Sequence, residues 1–332
     1  MKNTHKIWLS IGVLVLILAV VIGFSNRKVS PASQGNALIR VRIGYLPVVH
    51  ALPLYVAIDK GYFKDAGIDA EVTKFEAPNQ IIDALLSGQI DVAMAAATGI
   101  TAVAEGKKPG SLKIFAVQGG DDAHIAEALI VQKDSQVKTI AELKGKKIGL
   151  LPGIQWRTIA RNMFDMNGLD INRDVTLVEL AVPLQAQALA TKQVDALLAV
   201  EPVLTIAKSL GASRDLVISP NLRYISNPFY AGVGDVSVSF MKKDPAAFEK
   251  VLAVFDRATK ELDADIAAAR PHLVGHTALT IELSKSVNLP TYKMSADMNA
   301  NDVASVQKFI DVFAKYKVIE NPVRAIDLMY RQ

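Results

Sequence analysis

The sequence predicts an α/β fold made of two similar lobes that two chain crossings join. Strand and helix signals alternate along most of the chain, which is typical of sheets covered by helices. The stretch from Arg42 to Val72 reads as strand, loop, helix and strand, and this order returns about a hundred residues later. A chain of 332 residues with 51% hydrophobic side chains has room for two domains of ordinary size.

The first copy of the repeat begins with an alternating, β-branched run from Ile39 to Tyr45, which predicts a strand. Pro47 ends this strand. Apolar spacing after Pro53 predicts a helix that ends at Gly61, because glycine permits a left-handed exit. A second strand over 70–75 completes the unit.

The second copy begins with a short apolar strand over 146–151, a break at Gly153 and helical spacing from Gln155 to Asn167. Further on, the segment from Ala84 to Ala95 aligns with the segment from Ala188 to Ala199. In both segments a helix ends at a polar pair and an apolar strand begins. Two matches in the same order predict two similar strand–helix–strand lobes.

Strand and helix alternation of this kind predicts mostly parallel sheets with helices on both faces. The other predicted elements are a helix over 80–86 that Asn79 caps, a strand over 90–95 with an exit loop over 96–99, a helix over 100–105, a strand over 113–118 with a break over 119–122, a strand over 128–132, a return crossing over 226–235, a strand over 236–241 and a helical tail from Asp244.

These patterns divide the chain into four parts. We expect a membrane anchor or signal segment over 1–28, a tether over 29–38, a first lobe built from 39–122 plus 232–332, and a second lobe over 123–231. Two crossings between two such lobes would create a hinge and a cleft.

The first residues determine the expected location. The run from Ile7 to Phe24 carries no charge over eighteen residues. This length is at the short end for a transmembrane helix and long for the apolar part of a signal peptide, so an uncleaved anchor and a cleaved signal both stay open. Either one predicts that the rest of the chain lies at the periplasmic or extracytoplasmic face of the cell membrane.

Charge and cysteine content exclude several classes of protein. Four of the 37 basic residues and none of the 33 acidic residues precede Val29, so the rest of the chain is electrically balanced. The sequence contains no basic cluster with interleaved aromatic side chains, so it does not predict nucleic-acid binding. The absence of cysteine excludes disulfides, thiolate metal sites, a cysteine nucleophile and a lipid-modified cysteine anchor. No cofactor is expected.

The predicted cleft lies where strands end. In open parallel sheets, ligands bind beyond the carboxyl ends of the strands. The loops at those ends would all face one space, and they are 46–51, 96–99, 118–121, 152–156 and 201–202.

A set of short motifs in fixed order resembles a known family. The motifs are Ile43-Gly44-Tyr45, Lys60-Gly61-Tyr62-Phe63, Ser87-Gly88-Gln89-Ile90-Asp91, Leu143-Lys144-Gly145-Lys146-Lys147, Val194-Asp195-Ala196 and Glu201-Pro202. Their combination resembles the sulfonate, nitrate, taurine and thiamine-pyrimidine binding proteins of ABC importers. The resemblance implies a type II periplasmic-binding-protein fold, and a solute receptor that closes on a small organic anion, zwitterion or pyrimidine. It also implies an ABC permease as partner.

Two other functions stay open at this point. A thiamine-pyrimidine synthase-like enzyme would use a histidine at the place of His50, but such enzymes resemble each other also in a cysteine-rich motif that this chain lacks. A membrane-tethered sensor domain on the same fold is the other alternative. No paired carboxylates, Ser-His arrangement or phosphate loop predicts an enzyme, so we expect none.

Two charged residues are candidates for ligand binding. Arg157 lies in the first turn of the helix after Gly153, where exposed amides favour anions, and a bound carboxylate or sulfonate would explain a cation there. Its alternative is a solvent-facing side chain. Glu201, at a strand exit, suits an amine, or else it is a carboxylate at the entry of a helix. Gly153 and Gln155 complete the predicted polar contacts of this group.

Five neutral side chains are also candidates, each with a structural alternative. Tyr45 contacts a ligand or covers the sheet edge, and Trp156 lines the cleft or packs in the core. His50 lies where thiamine-pyrimidine relatives carry a histidine, or it is a solvated loop residue. Thr98 and Gln118 follow strand ends and can donate neutral hydrogen bonds.

One further histidine pair stands apart. His272 and His276 have the spacing of a helical metal pair. Because no third ligand converges on them in the sequence, no metal site is expected.

Overall fold

Two β-sheets with helices packed against them form the frame of the protein. The structure is a computed structural model that describes residues 38–331. The sheets have six and five strands. We refer to the part built around the larger sheet as the first lobe and to the part built around the smaller sheet as the second lobe. The predicted α/β fold with two sheets is confirmed, whereas the residue limits of the two domains stay a prediction.

The first lobe contains both ends of the described chain. Its strands are β1 (Ile39–Tyr45), β2 (Ile68–Lys74), β3 (Val92–Ala97), β4 (Leu112–Gly120), β10 (Phe229–Ser237) and β11 (Thr291–Met294). Its helices are α1 (Leu52–Asp59), α2 (Tyr62–Asp65), α3 (Pro78–Ser87), α4 (Thr98–Lys107), α9 (Val238–Lys243), α10 (Pro245–Ala264), α11 (Ile266–Ala269), α12 (Ile281–Ser284), α13 (Ala300–Lys315) and α14 (Ala325–Leu328).

The second lobe is formed by a continuous middle segment. Its strands are β5 (Glu127–Gln132), β6 (Lys147–Leu150), β7 (Thr176–Glu179), β8 (Ala196–Val200) and β9 (Ser213–Ile218). Its helices are α5 (Ile154–Asp165), α6 (Val182–Ala190), α7 (Val203–Ser209) and α8 (Pro220–Tyr224).

The two sheets have the same strand order. The first reads β2-β1-β3-β10-β4 with β11 at its edge, and the second reads β7-β6-β8-β5-β9. In each sheet a strand that follows a chain crossing, β10 or β5, lies between two strands and runs antiparallel to both. Four of the six strands in the first sheet and four of the five in the second run in one direction, as expected, and each crossing strand opposes them because it enters its sheet from the direction of the other lobe.

Matching hydrogen bonds show that the two lobes repeat one unit. The Asp91 carboxylate accepts a hydrogen bond from the Arg42 amide, and the Asp91 amide donates to the Arg42 carbonyl. Asp195 and Lys147 make the same pair of contacts in the second lobe. In both lobes an aspartate at the end of a turn thus connects the third strand of the unit to the first.

The turns before these aspartates also have the same backbone. Gly88 adopts φ +72° and Lys192 adopts φ +61°, both in the left-handed region. Glycine occupies this region without steric cost, whereas a lysine Cβ is strained there. The two turns are therefore equivalent in shape and unequal in strain.

Several element boundaries differ from the predicted ones. Helix α4 begins directly after β3, so the predicted exit loop over 96–99 is absent. The crossing predicted over 226–235 is mostly strand β10, and the predicted strand over 236–241 is mostly helix α9. Gln80, rather than Asn79, closes the start of α3 by accepting hydrogen bonds from the amides of Glu76 and Ala77.

The long helix α10 seals the outer side of the first lobe. It starts as predicted, with the Asp244 carboxylate accepting from the Ala247 amide at 3.0 Å. Its buried face carries Phe248 and Phe255, which pack against Phe115 of β4 with ring centroids 6.3 and 5.3 Å apart. Burial of these rings ties the C-terminal half of the lobe to its sheet.

The leader predicted over 1–28 and nearly all of the tether predicted over 29–38 lie outside the described residues. Within 38–331, no helix combines the length and the apolar character that crossing a bilayer requires.

Candidate functional site

A cavity lies between the two lobes. Residues of both sheets and of the segments that follow their strands line it, and its volume is about 30 Å³, which is room for at least one water molecule. The lining residues are Leu46, Val48, His50, Pro78, Ala95, Ala96, Ala97, Leu151, Gln155, Trp156, Val200, Ala231 and Gly232. Eleven of these have apolar side chains or none, so the cavity is almost entirely hydrophobic.

His50 is one of the two polar side chains in the lining. It lies in a short 3₁₀ turn after β1 and is 4% exposed. Its ring forms no hydrogen bond with any residue over 38–331. Burial lowers the pKa of His50 to about 4, so the imidazole is neutral at pH 7. A neutral imidazole offers one donor and one acceptor to whatever enters the cavity.

Gln155 is the other polar lining residue, and it connects the lobes. It lies at the start of α5 in the second lobe and is 2% exposed. Its Oε1 accepts from the Gly99 amide at 2.7 Å, and its Nε2 donates to the Ala231 carbonyl at 3.1 Å. Both partners belong to the first lobe, so one carboxamide bridges the cleft.

The amino-terminal end of α5 is occupied by a side chain of the protein itself. Glu179, at the end of β7, accepts from the Gly153 amide at 3.1 Å and from Nε of Arg157 at 2.5 Å. Burial raises the pKa of Glu179, but the hydrogen bonds from Arg157 and Gly153 outweigh it and leave that pKa below the usual value. Arg157 lies outside the cavity lining, with its side chain half exposed.

Thr98 and Gln118 are buried behind the lining. The Thr98 hydroxyl donates to the Tyr230 carbonyl at 2.8 Å, which joins α4 to β10. Gln118 donates to Sδ of Met94, and its Oε1 has no hydrogen-bond partner. A Cβ atom on Gly232 would lie 3.1 Å from this Oε1 and 3.3 Å from the His50 ring. The missing side chain of Gly232 thus leaves space between these two side chains.

The two aromatic candidates lie in different places. Trp156 lines the cavity and is 3% exposed. Tyr45 is outside the lining and packs edge-on against Tyr55 of α1, with ring centroids 5.6 Å apart. The structure therefore brings Trp156 together with His50 and Gln155, and it leaves Tyr45 beside the first lobe's own helix.

Glu201 is buried at the entry of α7. Its carboxylate accepts from the amide and the hydroxyl of Thr205, at 2.9 and 3.0 Å, and from Nδ2 of Asn288 at 3.2 Å. Burial raises the pKa of Glu201, and the Thr205 hydrogen bonds oppose this shift. Because Asn288 belongs to the first lobe, Glu201 adds a second polar bridge between the lobes.

The histidine pair lies away from the cleft. Nδ1 of His272 and Nε2 of His276 each contact a different oxygen of Asp59, at 2.7 and 2.9 Å. His276 also stacks on Tyr55 with ring centroids 4.6 Å apart. Over 38–331, no group of three or more histidine or carboxylate side chains could hold a metal ion.

Two features of the site carry no clear signal in the sequence. Glu179 and Asn288 each contact a candidate residue that is distant in the chain, and only the folded topology brings them together. Ala95 lines the cavity with φ +57°, which is uncommon for alanine and is typical of strained backbone at binding sites.

Comparisons with known proteins place this geometry in context. The NMT1/THI5 like family matches residues 49–269. A Brucella abortus (strain 2308) protein, provisionally named as a binding protein, is 25% identical over 256 residues, which are 76% of this chain and 75% of that protein. The alkanesulfonate-binding protein SsuA from Xanthomonas axonopodis pv. citri, bound to MOPS, has a TM-score of 0.71 at 20% identity and covers 88% of this chain and 98% of its own. The desulfurization enzyme DSZB has a TM-score of 0.63 at 15% identity, and the match covers 89% of this chain and 97% of the DSZB chain. At these identities the structural likenesses show a shared fold.

Proposed function

The chain belongs to the NMT1/THI5 like family, and from this premise we propose that it is an extracytoplasmic solute-binding protein of an ABC importer. In this role the two lobes close over a small molecule, and a membrane permease recognises the closed form. The same fold carries alkanesulfonate binding in the Xanthomonas protein.

The observation that carries the proposal is the cavity with walls from both lobes. Gln155 from the second lobe and His50 from the first meet at it, and both are more than nine-tenths buried. A solute held there contacts both lobes at once, so its binding free energy favours the closed arrangement. Selectivity then comes from hydrogen bonds that only the right solute satisfies.

The same geometry gives less support to catalysis. The enzyme DSZB shares the fold, so the fold alone does not decide the question. His50 has no carboxylate partner over 38–331 to orient it or to stabilise its protonated form. Its lowered pKa favours a hydrogen-bonding role over a general base that works near neutral pH. We therefore propose a receptor and not a synthase-like enzyme.

Location and partners follow from this proposal. We propose that the apolar run from Ile7 to Phe24 exports or anchors the chain, so that 38–331 works on the outer side of the cell membrane beside its permease. A membrane-tethered sensor with the same solute site would differ only in its partner.

The test uses the full-length protein with Trp8 changed to phenylalanine, because Trp156 is then its only tryptophan. The protein is extracted in detergent, and any co-purified small molecule is identified by mass spectrometry. We expect that molecule to change Trp156 fluorescence in stoichiometric proportion when it is added back to ligand-free protein. A chain that carries no small molecule, and whose Trp156 signal responds to none in a broad solute panel, would contradict the proposal.

A further inference from the structure

We propose that the cleft selects an uncharged solute that carries a hydrogen-bond donor beside an acceptor, such as a carboxamide, a lactam or an amino-substituted heterocycle, and that it rejects small anions. This inference rests on the proposed function, since it specifies the solute class of the same site. Among the solutes that the resemblance implied, it excludes the anion and the zwitterion and keeps the uncharged pyrimidine.

The place where an anion would bind at α5 is already taken. Free amides at the start of a helix favour negative charge. Here the Glu179 carboxylate accepts from the Gly153 amide and from the Arg157 side chain. A sulfonate or carboxylate arriving at this end would meet a like charge in place of a free donor and a free cation.

The cavity itself offers nothing that would neutralise a charge. No lysine or arginine belongs to its lining, and both polar lining side chains are neutral, a histidine and a carboxamide. Moving an unpaired anion from water into such surroundings costs several kcal/mol, whereas a neutral polar group needs only its hydrogen bonds replaced. The burial of His50 and Gln155 therefore favours a neutral solute.

The bridge between the lobes indicates the shape of the preferred group. The first lobe presents a donor, the Gly99 amide, next to an acceptor, the Ala231 carbonyl, and the Gln155 carboxamide satisfies both. A carboxylate or sulfonate could accept from Gly99, but its second oxygen would face the lone pairs of Ala231. Because Gln155 already pairs with both partners, a solute reaches them only by displacing its carboxamide, and a group with one donor and one acceptor replaces both hydrogen bonds.

His50 supplies a further contact in the same space. Its ring has no partner over 38–331 and lies at the cavity beside Gly232, where no side chain intervenes. A solute heteroatom can pair with it without displacing any hydrogen bond of the protein. His50 is therefore the residue that we expect to discriminate between solutes of equal size.

The test compares probes of matched shape on the full-length protein by calorimetry. One series is benzamide, benzoate and benzenesulfonate, and the smaller series is acetamide, acetate and methanesulfonate. In each series that binds, we expect the amide to bind at least about ten-fold more tightly than either anion, which corresponds to about 1.4 kcal/mol. We expect His50→Ala to weaken amide binding by about three- to ten-fold.

A gain of anion binding provides the reciprocal test. In Glu179→Gln the carboxamide can still accept from Gly153, but the like charge is gone and Arg157 is released. We expect the affinity for benzenesulfonate to rise about three- to ten-fold, and more at low salt than at high salt. Glu282→Gln is the matched control, because Glu282 is an exposed carboxylate on α12 that pairs with Lys285. This variant should leave the affinities for benzamide and for benzenesulfonate unchanged.

The outcomes separate this inference from the proposed function. An anion that binds the unmodified protein as tightly as its amide overturns the solute class and leaves the receptor role intact. Failure of all six probes also overturns the inference, and the receptor role is then decided by the co-purified molecule. Failure of both experiments ends the two proposals together.

Discussion

Glu127 is a buried carboxylate at the first crossing between the lobes. It is the first residue of β5, it is 2% exposed, and its Oε1 has no hydrogen-bond partner. Burial raises the pKa of Glu127 to about 7. A carboxyl group without compensating hydrogen bonds favours its protonated form, so the folded protein holds a proton there that the unfolded chain releases.

The stability of the protein should therefore depend on pH through Glu127. Between pH 4.5, the ordinary value, and about 7 the folded state binds more protons than the unfolded state, so this group lowers stability as pH rises. Glu127→Gln has the same shape and never ionises. We expect it to raise the free energy of unfolding by about 2–3 kcal/mol more at pH 8 than at pH 5, measured by urea denaturation.

Two observations check this interpretation. Glu76→Gln, at an exposed position, should change stability by less than about 0.5 kcal/mol at either pH. Equal effects of Glu127→Gln at both pH values would mean that the carboxyl group is ionised in the folded protein.

At the scale of elements, the repeat could be predicted from sequence because it depends on local patterns. The alignment of 84–95 with 188–199 placed Asp91 and Asp195 at equivalent positions, and the structure gives them the same hydrogen bonds to their first strands. The helix–turn–strand boundary is set within a dozen residues. Local signals of this kind survive in a single sequence.

The equivalent turns differ in one testable respect. Lys192 adopts φ +61° where the first lobe has Gly88 at φ +72°, and its ion pair with Asp134 is exposed and contributes little. We expect Lys192→Gly to raise the free energy of unfolding by about 0.5–1 kcal/mol and Gly88→Ala to lower it by about 1 kcal/mol. Thermal denaturation monitored by circular dichroism measures both changes.

The space around Gly88 provides the control for this comparison. A Cβ atom there would touch nothing within 4 Å, so any loss in Gly88→Ala reports backbone strain and not a clash. A destabilised Lys192→Gly would show instead that the lysine side chain contributes more than its backbone conformation costs.

The crossing elements could not be predicted in the same way. The sequence predicts a crossing over 226–235, but Gly232 and Gly234 lie within β10, where a Cβ on Gly234 would meet the Phe115 ring at 2.8 Å. Across the sheet, a Cβ on Gly119 would lie 1.9 Å from the Phe229 carbonyl. These glycines allow close approach of strands, and this need arises only from tertiary packing.

At the scale of the whole molecule, several residues that the sequence assigned to one cleft line one cavity, and its two charged candidates are paired within the protein. Three of the five predicted loops contribute to the lining of one cavity, among them the loops of His50 and of Gln155, whereas 118–121 and 201–202 contribute no residue to it. The partners of Arg157 and Glu201 come from distant segments, Glu179 and Asn288. A pattern reading identifies a charged residue at a strand end, but it does not reveal whether the fold has already paired it.

The closed arrangement of the lobes should depend on Gln155. Its carboxamide makes two hydrogen bonds to the first lobe, and Gln155→Ala removes both. We expect the radius of gyration of the ligand-free variant, measured by small-angle X-ray scattering, to exceed that of the unmodified protein. The physical reason is that the buried Gly99 amide and Ala231 carbonyl would then recover hydrogen bonds by meeting water.

Gln187→Ala is the matched control for this measurement. Gln187 is exposed on α6 of the same lobe, and its side chain makes no contact across the cleft. An unchanged radius in Gln155→Ala would assign closure to the remaining bridges, among them the contact of Lys315 with Asn162 at 3.1 Å.

The small volume of the cavity between the lobes also has a consequence for the rate of solute binding. The cavity has a volume of only about 30 Å³, so we expect an organic solute to enter it when the two lobes move apart. As the solute concentration rises, the observed binding rate would then level off at the rate constant for opening of the lobes. The apparent affinity would be proportional to the fraction of molecules in the open form. Since the permease is proposed to recognise the closed form, a protein that closes while empty would compete with loaded copies for that permease.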